Sequence, residues 1–305
     1  MSPLIAGLAP VFILIALGYA ARAGKLATPE AFGAVNRFGY FVLYPAFLFT
    51  LTSRADFSTA GAGPYLLGTV GGVFVAIMLA LSTRLIFRTD GPAFTSIMQG
   101  SVRWNGFVLL AAAMPLYGQA GLDLIGIAFG PLVLMMNVVC VMVLARWGAT
   151  RAASWRAVLD QIIANPLILS CAAGIVVNLA GFHDFGPLSH ALDLLGNAAM
   201  PIAVICVGAG LDFGALRSSG VRVAFASAFK LLLMPAILFT AVKLAGAGPL
   251  ECAVAAGLGA TPTAAAGYTL AREMGGDTHL IAAIITATTL LSFITMPIVI
   301  GLTLP

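Results

Sequence analysis

The sequence predicts an all-α integral membrane protein: ten transmembrane helices in two inverted five-helix repeats, with crossed, broken helices 4 and 9. Three observations predict it. Of 305 residues, 61% are hydrophobic and 9% charged, which leaves too little polar surface for the wet faces of soluble helices. The chain also repeats itself at an offset of 156 residues, so that Pro10 maps to Pro166, Gly18 to Gly174, Pro45 to Pro201 and Asp56-Phe57 to Asp212-Phe213. At the same offset Asn105-Gly106 falls on Thr261-Pro262. Interrupted apolar segments at matching places in two halves point to the binding site of a secondary transporter.

A helix needs about 20 apolar residues to cross about 30 Å of hydrocarbon. The first repeat, 1–147, supplies such runs at Pro3 to Arg22, Gly33 to Ser53, Gly63 to Phe87, Ala93 to Tyr117 and Gly121 to Trp147. The first has no basic n-region and no small-residue cleavage site after it, so it reads as a retained span and not a signal peptide. A short cytoplasmic linker, 148–160, is too brief to fold alone and carries Arg151, Ser154, Trp155 and Arg156. The second repeat, 161–305, supplies Gln161 to Gly181, opened by Asn165-Pro166, then Leu188 to Phe213, Val221 to Ala245, Pro249 to Glu273 and Thr278 to Leu304. A proline is tolerated in a first helical turn.

Basic residues near the span ends set the orientation. Arg22, Lys25, Arg84, Arg88, Arg146, Arg151, Arg156, Arg217, Arg222 and Arg272 fall on one side, against Arg54 and Lys243 on the other. Basic loops stay cytoplasmic, so both termini are expected outside and the linker inside, with Trp147 and Trp155 at the interface. Five spans per repeat is an odd number, which inverts the second copy relative to the first.

The fourth span reads Gln99-Gly-Ser-Val-Arg103-Trp-Asn105-Gly106-Phe, and the ninth reads Gly257-Leu-Gly-Ala-Thr261-Pro262-Thr263. An arginine at that depth must face protein, water or ligand, and Pro262 removes an amide donor and clashes with the preceding turn. If both helices break and cross, two half-helix N-termini point their unsatisfied amides into one place, which suits an anion. Asn105, Gly106, Thr261, Pro262 and Thr263 would then line the crossing. Arg103 would hold a carboxylate with its planar fork, or serve as a structural counter-ion snorkelling toward the cytoplasmic interface. Lys230, whose repeat mate is Phe74, could be a coupling group that links movement to protonation or potential or replaces a sodium ion; it could equally be a fixed charge holding a helix end. Asp56 and Asp212 read mainly as repeat scaffolding, and Asn178, Asn137 and Gln99 as buried polar residues without an assigned role.

Other classes find little support. Cys140, Cys171, Cys206 and Cys252 sit in apolar runs without CxxC spacing, and His183, His190 and His279 share no ligand spacing, so no metal or other cofactor is expected beyond H+ or Na+ coupling. The net charge of +4 comes without a dense basic tract, which argues against nucleic acid. No phosphate-binding glycine-lysine loop or hydrolase motif points to an enzyme or an ATP-driven pump.

Arg103-Trp-Asn105-Gly-Phe followed by Pro115-Leu-Tyr-Gly118, Asn165-Pro166 with Gly174, Lys230 followed by Pro235, Thr261-Pro262 through Gly275-Gly-Asp277, and Met296-Pro297 resemble the auxin efflux carrier family. The likeness is to its short bacterial members, often described as malonate or malate permeases, and spans nearly the whole chain. It implies two inverted five-helix repeats, a scaffold and a transport subdomain, elevator-type alternating access, a fold related to bile-acid sodium symporters, and a homodimer in a bacterial inner membrane. It places Asn105 and Pro262 at the crossover and matches Lys230 to a family lysine. The long central loop of the plant carriers is absent, and Thr261 stands where a second amide would be expected. The expected function is a permease for a small organic anion, a mono- or dicarboxylate. The alternatives are a sodium-coupled symporter of a larger amphipathic anion, or a non-transporting membrane receptor on the same fold.

Overall fold

Prolines set where many of these helices begin, because the first turn has no use for the missing amide and the ring already holds a helical φ. In the computed structural model α1 (Pro3–Ala23), α2 (Pro29–Phe38), α7 (Pro166–Leu179), α8 (Pro187–Ala209) and α12 (Pro249–Ala260) all open on one. Side-chain caps do the same work elsewhere. The Asp90 carboxylate accepts from the Ala93 amide at the start of α5 (Gly91–Val102), and Asp277 from the Leu280 amide at the start of α14 (Thr278–Thr303). The structure describes residues 3–55, 61–86, 89–149, 163–182, 185–216 and 220–304. Asp56, Phe57, Arg88, His183, Arg217 and residues 150–160 of the linker, with Arg151, Ser154, Trp155 and Arg156, lie outside the described residues.

The remaining elements are α3 (Tyr44–Ser53), α4 (Ala62–Ile86), α6 (Gly106–Trp147), α9 (Phe213–Leu216), α10 (Gly220–Ala228), α11 (Met234–Leu244) and α13 (Ala266–Met274). Two π-helical turns, Gly39–Leu43 and Phe229–Leu233, join α2 to α3 and α10 to α11. Each stops one residue short of a proline, Pro45 or Pro235. A proline inside a helix collides with the carbonyl four residues back, and a turn widened to a five-residue repeat relieves the collision. Accordingly the Tyr44 amide donates to the Gly39 carbonyl, and the Met234 amide to Phe229.

Among the described residues, five helical stretches are long and apolar enough to cross a membrane: 62–85, 91–147, 187–209, 220–244 and 278–303. Shorter apolar helices run at 7–23, 166–179 and 249–260. The expected second span begins polar. α2 carries Glu30, Asn36 and Arg37 and buries none of its residues, so the apolar part starts with the π turn. The expected seventh span ends sooner than its apolar run, at Ala209, and Asp212 instead caps the separate α9 through the Ala215 amide at 3.0 Å. The second half of span four and span five follow one another without a loop as α6, two helical segments kinked at Gly118 (φ 66°, ψ −167°). That conformation is open to glycine almost alone. Helix limits keep the sequence offset: 29–53 shifted by 156 lands on 185–209, beside α8, and 62–86 on 218–242, beside α10 and α11.

The chain divides into two units, each drawn from both halves. The first comprises Met1–Ala62, Phe107–Val133 and Ile163–Gly210. There α1 lies against α8 at backbone contact, because a Cβ on Gly18 would overlap the Ile205 carbonyl and one on Gly208 the Ile15 carbonyl. Small residues at apolar helix crossings permit this approach. Asn178 donates to the Ser53 and Ala55 carbonyls at 2.9 and 2.8 Å, which satisfies the end of α3. The exposed Arg54–Asp193 ion pair adds little, because solvent screens it.

The second unit comprises Gly63–Gly106, Leu134–Ile162 and Leu211–Pro305. Its core is the packing of Ala93 and Ile97 from α5, Val223 and Ala226 from α10, and Leu280, Ala283, Ile284 and Ala287 from α14. The Ser96 hydroxyl donates to the Asp277 carbonyl, and the Asp277 amide to the Pro92 carbonyl, so one loop pins α5 to α14. Cys140 and Cys252 are buried there, as Cys171 is in the first unit, while Cys206 is half-buried.

Gly208→Val is expected to lower stability by about 1–3 kcal/mol through overpacking, and Gly118→Ala by about 1–3 kcal/mol through backbone strain. Gly33→Ala, a position with open space around it, is expected to raise stability by about 0.5–1 kcal/mol as a helix interior gains a Cβ. Thermal unfolding of the three variants in detergent checks the order.

Candidate binding site at two helix breaks

Both predicted interruptions occur, in segments that are otherwise buried and apolar. α5 ends at Val102, Arg103 and Asn105 take extended backbone, and α6 starts at Gly106. α12 ends at Ala260, Thr261 is extended (φ −62°, ψ 153°), and helix resumes at Ala266. The breaks meet inside the second unit: the Asn105 amide donates to the Pro262 carbonyl at 2.9 Å. Pro262 offers no donor of its own, so its carbonyl is what it contributes.

A helix that stops inside apolar surroundings leaves its last carbonyls without partners, and the second unit supplies them from both breaks. The Gln99 carbonyl accepts from the Arg103 amide at 2.9 Å, and the Gly100 carbonyl from the Thr263 hydroxyl at 2.6 Å. On α12 the Leu258 carbonyl accepts from the Thr261 hydroxyl at 2.8 Å, and the Gly259 carbonyl from the Lys230 ammonium. The Thr263 amide donates to the Thr288 hydroxyl of α14 at 3.1 Å. Thr263 therefore ties one break to the other and to α14.

The predicted residues thus fall into a tight group and a neighbour. Asn105, Gly106, Pro262 and Thr263 gather where the breaks touch, and Thr261 spends its hydroxyl hydrogen on its own helix. The Asn105 side chain does not cap α6, although its backbone sits in the N-cap position. Lys230, fully buried in the second π turn, reaches the end of α12 two residues before Thr261.

Arg103 keeps its guanidinium inside the protein at 8% exposure. Its Nη2 donates to the Asn137 side-chain oxygen at 3.1 Å, Cys140 lies beside it one turn along α6, and its stem approaches Gly267 of α13. Its Nη1 has no hydrogen-bond partner, and neither has the buried Gln99 amide, at nitrogen or oxygen. Gln99 and Arg103 are four residues apart at the end of one helix, the spacing that puts side chains on one face. A buried guanidinium half supplied with partners and a buried amide with none are costly arrangements, of the kind a ligand or water relieves.

Sequence reasoning did not assign Gln99, Asn137 or Thr288 a place here. A lone amide in an apolar run marks the first two, and the hydroxyl cluster Thr286, Thr288, Thr289 and Ser292 in α14 marks the third. Nothing in their spacing names their partners. Asp212, the repeat mate of Asp56, stays outside the group: its amide donates to the Thr286 hydroxyl and its carboxylate caps α9.

A family model described as "Membrane transport protein" matches residues 3–161 and 150–300. A protein of Rhizobium meliloti (strain 1021) named "Putative malonate transporter" is 28% identical over 303 residues, covering 94% of this chain and 92% of its own. One of Methanothermobacter thermautotrophicus (strain ATCC 29096 / DSM 1053 / JCM 10044 / NBRC 100330 / Delta H) named "Uncharacterized transporter" is 23% identical over 296 residues, 94% of each chain.

Thr263→Val keeps the shape of the side chain but leaves the buried Gly100 carbonyl unpaired, which is expected to cost about 1–3 kcal/mol. Thr263→Ser is expected to retain most of that. Thermal unfolding of the two variants at equal detergent concentration makes the comparison.

Proposed function

This chain belongs to the membrane transport protein family, the auxin efflux carriers that its motifs resemble, and from that premise we propose that it is a secondary carrier of a small organic anion. As a member it is a multi-pass membrane transporter and not an enzyme. The observation that carries the anion reading is the Arg103 guanidinium, buried at the break with Nη1 unpaired, four residues along the chain from the equally unpaired Gln99 amide. No ion pair neutralises it among the described residues. A carboxylate supplies both the missing charge and the missing acceptor oxygens.

In this reading the carboxylate accepts from Arg103 Nη1 and from the Gly106 amide, which as the first residue of α6 has no partner in its own helix. The Asn105 side-chain amide faces the remaining oxygen, while Pro262 and Thr261 shape the wall. Thr263 holds the two breaks together. Binding falls off steeply for a neutral analogue, since the buried guanidinium would then be left without compensation. The relative named for malonate supports a mono- or dicarboxylate as the substrate class.

All these residues and Lys230 fall in one unit. That supports an elevator-type cycle in which the site travels as one piece, with Lys230 as the coupling residue. Ten spans in two inverted repeats with both termini outside, on the strength of the sequence repeat and the basic residues at the span ends, complete the reading, with the bacterial inner membrane and the homodimer that the family resemblance implies.

Counterflow of labelled malonate and other small carboxylates into proteoliposomes tests it. Asn105→Ala is expected to abolish saturable exchange. Arg103→Lys is expected to raise the half-saturating concentration about tenfold or more, the effect of losing a charged hydrogen bond of about 1.5–3 kcal/mol. Binding without exchange in a folded wild type would turn the reading toward a receptor.

A further inference from the structure

The α12 terminus is an unusual place for a lysine. α12 stops at Ala260 within a run whose residues from Cys252 onward are buried. Its final carbonyls carry the negative end of the helix dipole into apolar surroundings. In broken-helix carriers, ends of this kind and the unwound carbonyls after them are where a coupling sodium ion is held. Here the position is taken. The Lys230 Nζ donates to the Gly259 carbonyl, the side chain is fully buried, and no carboxylate pairs with it among the described residues.

Two features fix the ammonium at that point. Lys230 lies in the π turn Phe229–Leu233, the local consequence of Pro235. Pro235 itself packs on the same end of α12: a Cβ built on Gly259 would stand 2.5 Å from the Pro235 Cα. The proline that widens the turn and the backbone that receives the ammonium are thus in direct contact. An ammonium is a compact point charge with three donors, which makes it the nearest covalent stand-in for a bound monovalent cation. Its repeat mate is Phe74, so the first half of the chain has no equivalent.

We propose that Lys230 is a tethered cation filling the place of a coupling sodium ion at the broken end of α12, so that the carrier takes its anion without sodium. The proposal rests on the carrier reading above and deepens it. A consequence follows for the vacancy that removing the side chain would create: Lys230→Ala opens a carbonyl-faced space at a helix C-terminus that a sodium ion or methylammonium can enter.

The test pairs carboxylate counterflow with thermal unfolding of purified protein in choline, sodium, lithium, potassium or methylammonium chloride, for wild type, Lys230→Ala and Lys230→Arg. Wild-type exchange is expected to change less than about twofold when choline replaces sodium, because a cation with no place to bind shifts nothing. Lys230→Ala is expected to lose exchange in choline and to regain it with sodium or methylammonium. The same ions are expected to raise its unfolding temperature by about 5 °C at saturation while leaving wild type unmoved. Lys230→Arg, too large for the space yet charged, is expected to gain no response to sodium. A sodium requirement in wild type would overturn the proposal, as would a folded Lys230→Ala that no cation stabilises or one that exchanges fully in choline. The wild-type arm decides even if Lys230→Ala does not fold. The unfolding arm reads cation binding without transport, so absence of carboxylate exchange would sink the carrier reading and leave this one still decided.

Discussion

A carbonyl or amide in an apolar medium has no water to turn to, and the second unit is organised around that constraint. Unbroken helices meet it internally. Two helices that stop partway do not, and each stop exposes carbonyls on one side and amides on the other. The structure answers at the same few residues: Thr263 on the Gly100 carbonyl, Thr261 on Leu258, Lys230 on Gly259, and the Asn105 amide on Pro262. Once those partners are placed, little freedom remains in how α5, α12 and α14 can pack. The glycines and alanines that fill these helices then follow, since larger side chains would hold the backbones apart.

What stays unsatisfied is as informative as what does not. At the end of α5 the buried Gln99 side-chain amide and Arg103 Nη1 have no hydrogen-bond partner, while the Gln99 and Gly100 carbonyls beside them are met. A fold that supplies a partner for Gly100 one residue away has the means to supply one for Gln99. The contrast separates the groups that hold the break from those without a partner, and the latter are residue types suited to the carboxylate of the proposed function: a fixed fork and an ambivalent amide.

Much of this was legible in the chain, and the parts that were not share a cause. The breaks at Asn105-Gly106 and Thr261-Pro262 announced themselves because glycine and proline act on their own backbone. Helix starts at prolines and at Asp90, Asn165 and Asp277 are local in the same way. The early end of α8 and the separate α9 were hidden, because the apolar run passes straight through Ala209 and only the Asp212 cap stops it. The Gly118 bend was hidden too, since a glycine between two apolar runs reads equally as a loop. The Asn137 partner of Arg103 and the Thr288 partner of Thr263 lie 34 and 25 residues away. No period or spacing encodes a contact of that kind, so it needs the packed structure.

The interleaving of the two units bears on how the protein is made. The unit that holds the breaks uses residues from Gly63 to the C-terminal helix, and the Gly100 carbonyl waits for Thr263, 163 residues later. A ribosome adds about 5–20 residues per second, so the Gly100 carbonyl at the end of α5 spends roughly ten seconds or more in or beside the membrane before its partner exists. During that interval a charged, unfinished helix end must be sheltered by something outside the finished structure, whether lipid headgroups, water at the insertion machinery or a chaperone. The two halves cannot mature separately: the Gly100 carbonyl of the first is met only by Thr263 of the second, and the Pro262 carbonyl of the second by the Asn105 amide of the first.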